Sequence, residues 1–188
     1  MMLRKTLLLA AAALLCMGAA PAKPAPKAPA KPAAAKAAAK PAPARTSGYD
    51  AGDPNAFISL LASVDAKAQI ARTDGDAVFM TVTSPTEVFS AQFAGCNPQG
   101  KACQAVLFDR LGAEGSPTMA QINGFNQTSV MCRVYQDRSG KAHVEYSALV
   151  FPRTNRDEML MHLNAWRGCI ADFADFAKDP TGFLANAA

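Results

Sequence analysis

The chain predicts an α+β domain in which a mainly antiparallel sheet of about six strands carries helices, in the order α-β-β-β-β-α-β-β-α. Three observations carry this. Apolar residues recur at helical spacing in three places, the runs between them alternate at a period of two, and the connections between those runs are too short for parallel crossovers.

The first helix starts at Asp53-Pro54, an N-cap followed by proline at the first helical position, and Phe57, Leu60, Leu61 and Val64 form its stripe. Four short runs rich in Val, Phe and Thr follow: Ala68–Thr73, Ala77–Thr83, Glu87–Phe93 and Cys103–Asp109. Asp74-Gly75-Asp76, Ser84-Pro85 and Asn97-Pro98-Gln99-Gly100 separate them as turns, which favours hairpins. Ser116-Pro117 repeats the cap-plus-proline start, and Met119, Ile122 and Phe125 mark a second helix. Then Val130, Cys132 and Val134 alternate with Met131, Arg133 and Tyr135. Across the Asp137–Lys141 turn, Val144, Tyr146, Ala148 and Val150 alternate with His143, Glu145 and Ser147. The last helix begins near Thr154, with Asp157 and Glu158 suiting the dipole of its first turn. Met159, Leu163, Trp166, Ile170 and Phe173 fall on one arc with Cys169 at its edge, and Asp179-Pro180 is read as the stop. The domain is thus placed at 53–180, with 181–188 as a C-terminal tail.

What precedes the domain has a different composition. Arg4 and Lys5 precede nine apolar residues, Leu7 to Leu15, and small residues follow, which is the layout of a secretory leader and too short a run to span a bilayer. Residues 1–22 are read as a cleaved signal peptide, so the expected location is periplasmic or secreted. Ala13-Leu14-Leu15 puts leucine where a bacterial lipidation signal wants a small residue, so Cys16 reads as part of the apolar run rather than as a lipid anchor. Residues 23–45 are almost wholly Ala, Pro and Lys, with nothing to bury, and read as a disordered or polyproline-like linker. Lys23, Lys27, Lys31, Lys36 and Lys40 make it cationic: a soluble spacer, or an arm in weak contact with anionic envelope polymers.

The formal charge of +4 hides two opposite parts. Eight of the nineteen basic residues and no acidic one lie before position 46, leaving eleven basic against fifteen acidic groups, or −4, in the remainder. A domain of that sign, with no basic face, is a poor nucleic-acid binder.

Four cysteines remain after the leader: Cys96, Cys103, Cys132 and Cys169. An even count in an exported chain points to two disulfides, though four cysteines allow three pairings. Cys96 and Cys103 bracket a turn, so a hairpin staple is the natural pairing, and Cys132 with Cys169 then pins the last helix to the sheet. By loop entropy the two contribute about 2.5 and 4 kcal/mol. No Cys-x-x-Cys pair occurs and neither histidine sits beside a cysteine at ligand spacing, so no metal or cofactor is expected.

Few residues point to catalysis. There is no phosphate loop, no His-Glu-x-x-His and no Gly-x-Ser-x-Gly elbow. His143 and Glu145, two apart on one strand, share a face as an acid–base pair would, but they read first as ordinary polar residues on the wetter face. His162 borders the last helix's stripe, and Trp166 reads as core rather than ligand platform.

Asn123-Gly124-Phe125-Asn126, on the second helix, leads into a strand, an Asp/Gly hairpin, another strand and the helix carrying Trp166. This order, with the Cys96–Cys103 loop before Val106-Leu107-Phe108, resembles the YbjN domain family of bacteria, described as sensory transduction regulators. The resemblance spans 54–176. It implies a fold similar to type III secretion chaperones, often dimeric, with no catalytic residues to carry over. The export leader, the Lys-rich arm and the Cys132–Cys169 pair depart from the family and weaken transfer of a cytosolic regulatory role. Asn123 and Asn126 flank Phe125, and their amides either bond strand ends or grip a partner.

Three functions are therefore expected, in this order. The first is a non-enzymatic binding or chaperone-like module that holds an envelope protein on a sheet face or in a helix–sheet groove. The second is a small periplasmic hydrolase with an unrecognised site such as His143 and Glu145. The third is an anchoring protein that binds through the Lys-rich arm.

Overall fold

A computed structural model describes residues 48–112 and 117–187. Residues 1–22, read above as a leader and including Cys16, the Lys-rich residues 23–45 and Ser116 lie outside these residues. Element order is α1 (Pro54–Ala62), β1 (Lys67–Asp74), β2 (Ala77–Thr83), β3 (Val88–Ala94), β4 (Ala105–Leu111), α2 (Met119–Thr128), β5 (Cys132–Gln136), β6 (Ala142–Leu149), α3 (Arg156–Lys178) and α4 (Pro180–Asn186). The six strands form one antiparallel sheet in the order β1-β2-β3-β4-β6-β5, and the α+β class follows.

The period of two decides which side of the sheet is dry. Along β2, Val78, Met80 and Val82 are buried. Phe89, Ala91 and Phe93 continue this face on β3, Val106 and Phe108 on β4, Val144 and Tyr146 on β6, and Val134 on β5. Helix α1 seats Phe57 against Phe93 and Phe108, with ring centroids 5.5 and 5.6 Å apart. On α3, Trp166 meets Phe89 edge-on at 5.5 Å and Phe108 at 5.9 Å. Met159, Leu163, Cys169, Ile170, Phe173 and Phe176 complete the buried stripe of that helix. Trp166 is core, at 1 % exposed.

Both cysteine pairs sit at disulfide-bonding distance, Cys96 with Cys103 and Cys132 with Cys169. The second joins β5 to α3.

Four sequence expectations shift. Helix α2 starts at Met119 behind a capping box of Thr118 and Gln121, not at Ser116-Pro117, and Met119 is 58 % exposed instead of in the stripe. Val64 lies beyond the end of α1, where Ser63 already caps the helix. Residues 129–131 turn the chain, with the Ser129 hydroxyl accepting from Cys132 N–H at 3.1 Å, so Val130 and Met131 precede β5 and stand exposed. Residues 180–186, read as the domain's end and a tail, form α4, whose Phe183 stacks on Phe125 at 5.6 Å and meets Phe176 at 5.7 Å.

Candidate functional site on the uncovered sheet face

The residues that alternate with the core stand on the opposite face, which no described element covers. Strand register sets them in rows. Thr81, Ser90, Asp109, Glu145 and Arg133 lie side by side across five strands. On one side of that row run Phe79, Gln92, Leu107 and Ser147, and on the other Thr83 with Val88 and Leu111 with His143 and Tyr135. Val88, Leu111, Tyr135 and Leu149 are large apolar or aromatic side chains left exposed, and the Arg72 guanidinium lies 3.5 Å over the Phe79 ring. The face is mixed: a polar row between flanks in which apolar and polar side chains are interspersed.

At the β4–β6–β5 end the polar groups interlock. His143 Nδ1 lies 3.0 Å from Asp109 Oδ1, and the Tyr135 hydroxyl donates to Asp109 Oδ2 at 2.8 Å. The Tyr135 and His143 rings stack with centroids 4.9 Å apart. His143 Nε2 is buried and 3.6 Å from Asp137 Oδ2, too far for a hydrogen bond. Burial raises the Tyr135 hydroxyl's pKa, and its bond to Asp109 raises it further. Asp137 shapes the β5–β6 turn by accepting from the Ser139 hydroxyl and from the Ser139 and Lys141 amides; these bonds, led by the hydroxyl, hold its carboxyl down at about 2.

Glu145 lacks such support. Burial raises its pKa and repulsion from Asp109, directly opposite it, adds to this. Arg133 stands opposite on the other side, but its guanidinium donates to the Ser129 and Cys132 carbonyls instead. His143 and Glu145 share a face, as the sequence implied, yet the imidazole is engaged by Asp109 and not by Glu145. Asp109 and Tyr135 escaped the sequence reading because β4 pairs with β6, from which α2 and β5 separate it in the chain.

The Asn123–Asn126 motif lies elsewhere, at the β5 edge. The Asn126 amide donates to the Val134 carbonyl at 3.0 Å and accepts from the Val134 N–H at 2.8 Å, so it imitates a neighbouring strand. A β-carbon on Gly124 would lie 3.0 Å from Leu184, which is how α4 comes so near. Phe125 packs on Phe176 with centroids 4.9 Å apart, and Asn123 is exposed. His162, on α3, accepts or donates at 2.7 Å with the Tyr146 hydroxyl, and burial lowers its pKa.

Concave surface also lies away from the His143 cluster. One cleft is lined by Asp175, Asp179, Gly182 and Phe183, and a narrower one by Leu61, Ser84, Glu87 and Trp166. Among the described residues no group of His, Cys, Asp and Glu is arranged to hold a metal ion, and no helix is long and apolar enough to cross a membrane. No family model, curated protein or solved structure matches this chain.

Proposed function

We propose that the chain is an exported, non-enzymatic binding module of the bacterial cell envelope that holds another envelope protein against the uncovered face of its sheet. The single observation that carries this reading is the asymmetry of the sheet. Helices pack one face into a core, while the other presents exposed Val88, Leu111 and Leu149 and half-buried Leu107 beside an ordered His143–Asp109–Tyr135 cluster. An aromatic ring held rigidly by its hydroxyl, with apolar neighbours, suits protein interfaces, because little side-chain entropy is lost on binding. The paired cysteines are compatible with an oxidising compartment, and the resemblance to YbjN domains and type III secretion chaperones supports a partner-holding role. The test is capture from envelope extract with wild type and Leu107→Asp. Partners retained by the wild type and lost by the variant, with melting unchanged, support the reading; an identical set for both contradicts it.

A second reading has its own observation. The Asp109–His143 bond orients an imidazole as an acid–base catalyst requires. If a screened hydrolytic activity falls on His143→Ala while the fold persists, the chain is an enzyme at this cluster.

A further inference from the structure

The two edges of the sheet are finished differently. At β5, the Asn126 amide occupies the Val134 backbone groups and α2 lies alongside. At β1, no described element pairs with the outer edge, and all but one of its eight residues are exposed. Exposed edges invite pairing with any extended chain, and proteins blunt them with charges and bulges. Strand β1 has both: Lys67, Arg72 and Asp74, and a bulge at Ala71, where the register with β2 slips between Ile70 and Arg72.

The bulge has a geometric consequence. Side chains at Lys67 and Gln69 share the uncovered face with Arg72 and Asp74, because the extra residue reverses the odd–even alternation midway. A regular foreign strand laid along β1 matches faces on one side of the bulge and mismatches them on the other. A strand with a facing bulge matches on both sides. We infer that the partner this edge is built for is a second copy of the chain, joined antiparallel through β1 about a two-fold axis beside Ala71.

In that register Lys67 of each copy lies opposite Asp74 of the other, Gln69 opposite Arg72, and Ala68 opposite Thr73. Every one of these pairs shares a face. The charges that repel other edges become two cross-strand ion pairs. Lys67 has no salt bridge among the described residues, and Asp74 is held only by an exposed contact to Arg72 at 3.0 Å, so both are available. Ile70, 45 % exposed in the single chain, falls next to the axis and is covered. Shifting the register by two residues so that Lys67 faces Arg72 sets like charges together and shortens the ladder. The result is a continuous twelve-stranded sheet whose two uncovered faces lie on the same side. An edge-to-edge contact of this length is small, so the dimer is weak and forms in about the micromolar to millimolar range.

The test is sedimentation equilibrium of the exported protein with Lys67→Asp, Asp74→Lys and the double exchange, with melting followed alongside. The inference predicts a concentration-dependent dimer, association weakened about tenfold by either single exchange and recovered in the double, where the pairs re-form with reversed sign. It also predicts amide-exchange protection that grows with concentration in β1. A monomer at every concentration up to about 1 mM, a double exchange no better than the singles, or a dimer whose protection falls outside β1 overturns it. The inference is independent of the sheet-face reading: envelope capture without dimerisation refutes this one alone, and the converse refutes only the other.

Discussion

The two faces of this sheet are built from the same strands, residue by residue in alternation, and one is dry while the other is open to solvent. On the inner face Phe57, Phe89, Phe93, Phe108 and Trp166 interlock with rings 5.5–5.9 Å apart, and every one is almost wholly buried. On the outer face, one residue along, stand Val88, Ser90, Gln92, Leu107 and Asp109, wet or half-wet. Under the proposed function the contrast separates stability from recognition. Changes on the inner face should unfold the domain, and changes on the outer face should leave it folded and alter what it meets.

The largest expected effect is on the inner face. Trp166→Ala removes the ring that ties α3 to β3 and β4, and should cost about 3–5 kcal/mol. That is much of the stability of a domain this size, and thermal or urea unfolding measures it. A loss under 1 kcal/mol would break the comparison. Next is the sealed edge. Asn126→Ala strands the N–H and C=O of Val134 beside α2, at a cost of about 1–3 kcal/mol, and urea melts with amide exchange at β5 check it. On the outer face, Leu107→Asp should shift stability by about 0.5 kcal/mol or less while abolishing envelope capture.

The smallest effect carries a sign. Glu145 has its pKa raised in the folded state by burial and by Asp109, so its charge opposes folding above that pKa, and the penalty fades as pH falls through it. Glu145→Gln should therefore raise Tm at neutral pH and lose the advantage in acid, as calorimetry across pH would show. Asp137 runs the other way. Its carboxyl, held down at about 2 chiefly by the Ser139 hydroxyl, supports folding at neutral pH and loses that support as pH drops below about 4 toward 2.

Much of the inner face was legible in the sequence and little of the outer site. The stripe from Met159 to Phe173 and the alternation from Val144 to Val150 are local periodicities, and the packing follows them. Helix α4 was missed because Asp-Pro is ambiguous: at Asp53-Pro54 it opens a helix, and at Asp179-Pro180 it closes α3 while opening α4. Its seven residues give only Phe183 and Leu184, too few to show a period. The start of α2 shifted because Thr118 and Gln121 close a reciprocal pair of hydrogen bonds just before Met119. The His143–Asp109–Tyr135 cluster depends on which strands become neighbours. Its partners are 34 and 26 residues apart in the chain, and no local pattern encodes that.

The most direct test of the central claim is photocrosslinking in living cells, with a photoreactive residue placed at Leu107 on the uncovered face or at Asn164 on the exposed side of α3. The account predicts discrete adducts with envelope proteins from position 107 and none of the same mass from position 164. Adducts equal from both positions, or none from position 107, would contradict it.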